Sequence, residues 1–390
     1  MNILMLSRVL PHHAIGGMQV VAWDLAIELV KAGHRVTVVT SPIGEQESFY
    51  DTGVFIHCLP GTHWRTYGRA WSKGVRTLCD TAFLSQFDAI LGVSSAARPL
   101  LELGPSIRQK LFMQAHGTSY GEILSKLKSR RVIPMMKALK NLYNLAFDIK
   151  DYRRYRCVIP IGRAVLNDFG KLPLSLIQRT ICLELISNGV PDDLFAYDKE
   201  ESRRVRESLG WESSIIVVTA CRLDNQKGLE DSIRAFSRAL KSRPDLRYLI
   251  IGDGPERGRL MSLVRELHLV DRIHFTGSLP RREVASFLSA SDVMIFNTVR
   301  IEGLPMNILE ALAAGLPCIV SSHVARQETV SDSIVPVDAG DIEKITEALS
   351  IIAVNSERRS LLPLQYGISS VAQRYAAVFA RSNVNSPVCS

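Results

Sequence analysis

Two carboxylates, Glu302 and Glu310, stand eight positions apart in the run IEGLPMNILEALAAGLP. Glu302 is followed by Gly303 and Pro305, residues of a loop. Glu310 falls within small and apolar side chains that end at Gly315 and Pro317. This order reads as a loop entering a buried helix that stops at a glycine. A loop glutamate beside Gly and Pro serves few structural needs, but its oxygens suit a hydroxyl-rich ligand. The helix start adds backbone N–H groups able to face an anion. Taken alone, the pair also fits an acid–base couple, and Glu310 also fits a half-buried glutamate satisfied by a neighbour.

Two other loops carry candidate chemistry. In CRLDNQKGLEDSIRAF, Arg222 and Lys227 follow an apolar run, where cations are ill placed unless paired. Two cations at a sheet edge can hold a diphosphate and stabilise it as it leaves. A surface pair bonded to Asp224 and Glu230 accounts for the same residues. Gly16 and Gly17 precede Met18 at the start of a helical pattern. They allow a backbone to approach a phosphate at a helix N-terminus, or simply make a tight turn. No GxGxxG follows, so the dinucleotide fingerprint is absent.

The elements that position these loops alternate. Strand-like 3–7, a helix over 18–31 closed by Gly33, and strand 35–40 form a βαβ unit, with further strands at 89–93, 111–114 and 157–161. The second half repeats the scheme: strands at 215–220, 247–251, 273–275, 293–296 and 318–321, with helices over 229–241, up to His268, and over 281–290. Such alternation predicts parallel sheets covered on both faces. Ligands then bind where strands end and helices begin, which is where all three loops fall. The join between the halves is expected near 188–195.

The 390 residues suffice for two cores, and 46% apolar with 22% charged residues is ordinary for a globular α/β chain. No apolar run of about 18 residues suggests a membrane span, and the opening MNILMLSRVL reads as a strand rather than a signal peptide. The seven cysteines form no CxxC or Cys/His cluster, so no metal site or disulfide framework is signalled and a reducing cytoplasm is the expected compartment. Charge is lopsided. Residues 1–194 hold 23 Lys/Arg against 15 Asp/Glu, while 195–390 hold 24 of each. Within the first half, 126–171 has 12 basic and 3 acidic residues, which argues for an anionic partner. Over 132–147, Val132, Met135, Met136, Leu139, Leu142, Tyr143 and Ala146 share a helical stripe. That stripe suits either an interfacial helix on anionic lipid or a core-facing helix. Nucleic acid is not expected, since stacking aromatics are few there.

Together these segments resemble the retaining glycosyltransferases of family 4. The resemblance rests on GGMQ at 16–19, HG at 116–117, SNGVPDDLF at 187–195, RLDNQKG at 222–228, GDGPE at 252–256, DRIHFTGSLP at 271–280 and, most strongly, EGLPMNILEALAAGLP at 302–317. It implies a GT-B architecture: two Rossmann-like doubly wound domains in tandem with a cleft between them. These would be an acceptor-binding domain over 1–190 and a nucleotide-sugar-binding domain over 191–365, with a C-terminal helix over 366–382 crossing back to the first. It also implies roles. Arg222 and Lys227 bind the donor diphosphate, and Gly16 and Gly17 lie near the phosphates. The backbone of Leu279 reads the nucleobase, and Glu310 bonds the ribose. Glu302 faces the transferred sugar, with backbone N–H groups near Leu304 and Asn307, and His116 stands beside that sugar. The implied reaction is metal-independent, retaining transfer of a hexose from a UDP- or GDP-sugar to a glycan or lipid-linked acceptor, with no cofactor beyond the donor. A setting in bacterial envelope, lipopolysaccharide or exopolysaccharide assembly follows, cytoplasmic and peripheral on the inner face of the plasma membrane. The competing classes are a catalytically silent nucleotide-sugar-binding module and a sugar-nucleotide epimerase. Two departures stand out: Cys221 replaces the usual Gly, and SSHVARQE lacks the usual Gly-Gly pair, which leaves the role of Glu328 open.

Overall fold

The computed structural model describes residues 1–14, 16–65, 68–121, 123, 145–300, 305–326, 332–352 and 358–381. Glu302, Leu304 and Glu328 lie outside these, as does the 132–147 stripe up to residue 144.

The chain divides into two compact units: Met1–Gly189 joined by the C-terminal stretch from Ile368, and Val190–Gly367. The first holds a seven-stranded sheet of order β3-β4-β2-β1-β5-β6-β7. Its strands are β1 (Asn2–Leu6), β2 (Arg35–Thr40), β3 (Ser48–Asp51), β4 (Val54–Cys58), β5 (Ala89–Val93), β6 (Leu111–Ala115) and β7 (Cys157–Pro160). All pairings are parallel except β3 with β4. The second unit holds an all-parallel sheet of order β10-β9-β8-β11-β12-β13. Its strands are β8 (Ile215–Ala220), β9 (Leu246–Ile251), β10 (Ile273–Gly277), β11 (Val293–Phe296), β12 (Cys318–Ser321) and β13 (Ile334–Val337).

The strand sequences explain the layering. Successive side chains of a strand point to opposite faces, and here both faces are covered. In β1, Ile3 and Met5 enter one core while Leu4 and Leu6 enter the other. In β11, Met294 and Phe296 face one side and Val293 and Ile295 the other. Continuous apolar runs rather than alternation are the signature of such buried parallel strands.

Several elements depart from the sequence expectation, among them the helices Arg69–Leu78, Lys199–Leu209 and Ile342–Ile351, which it lacked. The β3–β4 hairpin was not expected; it turns at Thr52 and Gly53, both with positive φ (47° and 82°), as tight hairpin turns require. Edge strand β13 was also not expected. It is short, half exposed and contains Pro336, a residue tolerated in a sheet mainly at an edge. The helix expected over 229–241 ends earlier, as Leu229–Ala239.

The C-terminal helix Ile368–Ala380 belongs to the first unit, where it packs on the Gly17–Lys31 helix. Ser369 Oγ donates to Glu28 Oε1, Arg374 donates to the Leu185 carbonyl, and the Phe379 ring lies 4.9 Å from that of Phe112.

Candidate active site

In the second unit, the loop after β8 is clamped between two others. Leu223 N donates to Asp253 O at 3.0 Å and Glu256 N donates to Leu223 O at 3.1 Å, joining it to the loop after β9. Val299 N and Thr298 Oγ1 both donate to Gln226 O, at 2.9 and 3.0 Å, joining it to the segment after β11. This closeness depends on glycine. A Cβ on Gly252 would lie 2.0 Å from Cys221 O, one on Gly254 2.3 Å from Leu223 O, and one on Gly228 1.7 Å from Asn297 O. Gly228 also has φ +63°, a left-handed conformation natural to glycine.

Arg222 and Lys227 are carried by this clamped loop at the carboxyl edge of the sheet. Arg222 is exposed and Lys227 half-buried, with its Nζ 5.1 Å from the centre of the Phe296 ring. Both acids of the alternative surface pairing have other partners as well. Glu230 is bonded by Arg259 and Arg234, which hold its carboxyl below the usual range. Asp224 Oδ1 accepts from Gln226 N at 3.0 Å, capping its own turn.

The helix expected from the opening motif is Met306–Ala313, preceded by Pro305. Asn307 Nδ2 donates to Ala220 O at 2.7 Å, so the helix start is tied to the last residue of β8. Its far end stops at Gly315, φ +76°, where a Cβ would come 2.7 Å from Arg359 O. Leu279 lies between β10 and the Arg281–Ala290 helix and packs on the same core cluster as Ala220, Cys221 and Met306. Loop 278–280 and the helix start therefore border one core at one edge.

Glu310 is nearly buried, and its Oε1 pairs with Arg281 Nη2 at 3.4 Å. The Arg281 guanidinium in turn lies 5.1 Å from the centre of the Phe195 ring. Sequence reasoning did not find Arg281; nothing local marks which of Arg281 and Arg282 turns inward. The half-buried glutamate thus has a cationic partner, which orients it whatever else it binds. Among the described residues, no group of three His, Cys, Asp or Glu side chains is placed to hold a metal ion.

In the first unit, Gly16 and Gly17 begin the Gly17–Lys31 helix. Gly16 has an extended backbone open to any residue (φ −169°). Among the described residues, a Cβ there would meet the far end of the Gln19 side chain, and one on Gly17 would meet nothing within 4 Å. Neither glycine is demanded by packing or by backbone strain. Across the same sheet edge, Ser94 Oγ, just after β5, is 3.8 Å from Met18 Sδ.

His116 follows β6. Its Nε2 is 2.8 Å from Gln114 Oε1, and Gln114 Nε2 donates to Tyr375 Oη at 3.0 Å on the C-terminal helix. With the amide assigned this way, Gln114 offers an acceptor to His116, so Nε2 carries the proton and Nδ1 is left as an acceptor. Burial pushes the imidazole down to about 4. Solvent still reaches part of the residue, which limits the desolvation; either way the ring is neutral at pH 7. Gln114 and Tyr375 were missed in the sequence, although a Gln within the apolar strand LFMQA was a usable signal, because a buried amide needs partners. Beside them, Thr118 Oγ1 donates to Asp168 Oδ2 at 2.6 Å and accepts from Gly121 N at 2.9 Å, fixing the loop after His116. Burial pushes the Asp168 carboxyl up, with the Thr118 bond working against it.

The two units are thus Rossmann-like sheets whose candidate residues gather at carboxyl edges, the arrangement of a nucleotide-binding α/β enzyme. Comparison with known proteins makes the class specific. Residues 16–173 match the family described as glycosyl transferase 4-like domain, and residues 201–362 match glycosyl transferases group 1. The chain belongs to the group 1 glycosyltransferases of the GT-B fold, and it is an enzyme of that kind. It is 26% identical over 279 residues, 68% of each chain, to the GDP-mannose-dependent alpha-(1-6)-phosphatidylinositol monomannoside mannosyltransferase of Mycolicibacterium smegmatis. It is 22% identical to the N-acetyl-alpha-D-glucosaminyl L-malate synthase of Bacillus anthracis, over 78% of this chain and 76% of that one. Among solved structures, sucrose-phosphate synthase from Thermosynechococcus elongatus superposes with a TM-score of 0.73 at 18% identity, covering 97% and 98% of the two chains. HepE from Anabaena, in complex with UDP and glucose, gives 0.71 at 17% identity, covering 97% and 99%. Family membership removes the silent-module and epimerase readings. Among the described residues, no helix is long and apolar enough to cross a membrane.

Proposed function

We propose that this glycosyltransferase moves a hexose from a UDP- or GDP-sugar to a glycan or lipid-linked acceptor, with retention at the anomeric carbon and without a metal. The observation that carries the reading is the bond from Asn307 Nδ2 to Ala220 O at 2.7 Å. It keeps the start of the Met306–Ala313 helix against the end of β8, where the loop bearing Arg222 and Lys227 begins. Two cations and a helix N-terminus in one neighbourhood suit a diphosphate, and they stabilise it best when it leaves with its full charge. The GDP-mannose-dependent relative and the UDP-bound structural neighbour support a nucleotide-sugar donor.

The remaining residues take roles around that group. Glu310, oriented by Arg281, accepts from the ribose hydroxyls. The backbone of Leu279 reads the base. Glu302, with backbone N–H groups at Leu304 and Asn307, binds the hydroxyls of the transferred sugar. In the first unit, Gly16 and Gly17 give the donor phosphates close access, and neutral His116 serves the sugar through Nδ1. The leaving diphosphate oxygen takes the acceptor's proton on the face from which it departs, so configuration is retained and no dedicated base is required. Thermal-shift screening of UDP- and GDP-hexoses tests the donor class, since a true donor raises Tm by binding the folded state. NMR of the product anomer tests retention. An inverted product, or no shift with any donor of either class, overturns the reading.

The basic region 126–171 supports an anionic membrane as the second partner, on the inner face of the plasma membrane. In its described part, Lys150, Arg153, Arg163 and Lys171 are exposed. Its three acids are turned to the protein: Asp148 to Ser119 N, Asp151 to Arg98 and Asp168 to Thr118. The outward charge is therefore basic, which favours anionic lipid. Co-sedimentation with anionic vesicles that weakens with salt is the expected result; equal binding to neutral vesicles removes the membrane from the proposal. A cell-envelope or extracellular polysaccharide pathway fits such a site. It also fits likeness to a putative colanic acid biosynthesis glycosyltransferase of Escherichia coli, 31% identical over 29% of each chain.

A further inference from the structure

Cys157 opens β7, and Cys182 lies on the segment that runs beside it. Val158 N donates to Cys182 O at 2.9 Å, Glu184 N donates to Val158 O at 3.2 Å, and Val158 bridges Leu183 in parallel. Residues 157 and 182 are therefore neighbours on adjacent stretches of extended chain. Both side chains turn to the core that contains Phe112, Tyr375 and Phe379. Their sulfurs are 2.9 Å apart, closer than two unbonded sulfurs normally pack and within about 1 Å of a covalent S–S bond. Backbone pairing has already brought the two chains together, so bond formation requires only a small side-chain adjustment.

From this geometry we propose that Cys157 and Cys182 form a site of reversible oxidative modification, closing to an intramolecular disulfide when the protein meets a peroxide. The two thiols divide the work by access. Cys182 is partly exposed, whereas Cys157 is buried. The Cys182 thiolate attacks the peroxide; the O–O bond breaks, one oxygen stays as a sulfenic acid, and the other leaves as hydroxide and takes up a proton to become water. The Cys157 sulfur, giving up its proton, attacks the sulfenic sulfur; the S–S bond forms, the S–O bond breaks, and a second water leaves. Two thiols are oxidised by two electrons and one peroxide is reduced to two waters. A dithiol reductant reverses the reaction by exchange. Three of the other cysteines are poorly suited to compete: Cys58, Cys79 and Cys318 are buried, and burial raises each thiol, that of Cys79 to about 12. The bond closes the stretch carrying Asp168, the acceptor for Thr118 next to His116, and so tethers one support of the first unit's candidate site.

The test uses the full chain, treated with hydrogen peroxide at a small molar excess and then denatured for thiol counting. Two of its seven thiols should be lost and recovered with dithiothreitol. A non-reducing tryptic map should join peptide 157–163 to peptide 180–199, and the oxidised protein should melt a few degrees higher because its unfolded state is constrained. In Cys157→Ser, the Cys182 sulfenic acid should persist and be trapped by dimedone. In Cys182→Ser, neither the linkage nor the trapped adduct should appear. Retention of all seven thiols, linkage between two molecules, or a linked peptide pair that excludes either residue overturns the proposal.

Discussion

At the carboxyl edge of the second sheet, glycine is demanded by packing. A Cβ on Gly228, Gly252 or Gly254 would lie 1.7–2.3 Å from a carbonyl oxygen of a neighbouring loop. At the carboxyl edge of the first sheet, a Cβ on Gly17 or Gly117 would meet nothing within 4 Å among the described residues. The same residue type, in the same kind of strand-to-helix loop, serves two physical ends. In the second unit it lets three loops lock into one rigid platform for Arg222 and Lys227. In the first, the described fold does not use the missing side chain, which is what the ligand role proposed for Gly17 requires. A glycine in a motif is therefore informative about binding only after its packing has been inspected.

This contrast can be broken most severely at Gly228. Gly228→Ala combines a backbone clash with a left-handed φ, and should destabilise the second unit by about 4 kcal/mol or more, seen as a collapse of Tm or loss of soluble protein. An alanine variant melting like the parent would show that the platform is not rigid. Next in size, Lys227→Ala should lower kcat by about 10²–10³-fold, the effect of removing one group that stabilises developing charge, while Tm stays near that of the parent. Near-normal turnover would detach the platform from the chemistry. Gly17→Ala sharpens the other half of the contrast. Its stability should change by no more than about 0.5 kcal/mol, as for a surface site, while kcat/KM falls about tenfold or more, a loss of about 1.4 kcal/mol in transition-state binding. Equal loss of stability and activity would mean that Gly17 is structural after all.

A pH-dependent test concerns His116. Its folded-state value is depressed from 6.5 to about 4 by burial, so the unfolded chain takes up a proton at higher pH than the folded one. The stability from keeping this ring neutral is whole above about pH 6.5 and is lost as pH falls towards 4. In His116→Gln, the fall in Tm between pH 7 and pH 4.5 should be shallower than in the parent. An identical slope would place the acid sensitivity elsewhere.

Much of the architecture could be read from the residues in order. NILML, AILGV and IIVVTA are uninterrupted apolar runs, and such runs bounded by helix signals mean strands buried on both faces. The loops carrying Arg222, Lys227 and the Met306–Ala313 helix start were legible for the same reason: each follows such a run. The β3–β4 hairpin had a signal in its Asp-Thr-Gly turn, but its strands are short and half exposed, so their pattern is weak. The sequence could propose His116 and Glu310 as site residues but could not say what holds them. Tyr375, 261 positions from Gln114, braces the amide beside His116, and Arg281, 29 positions from Glu310, pairs with that carboxylate.

By itself, then, the sequence determined the alternation of strand and helix, the two-unit organisation and the loops that bear the candidate chemistry. These follow from hydrophobic period and turn chemistry, which act over a few neighbouring residues. Only the tertiary structure decided which glycines are obligatory, which cation meets which carboxylate, how the imidazole of His116 is oriented and kept neutral, and that the sulfurs of Cys157 and Cys182 touch. Each of these depends on the distance and desolvation between groups far apart in the chain. A sequence carries no local trace of such contacts, because they exist only once the sheets have formed and brought their edges and faces together.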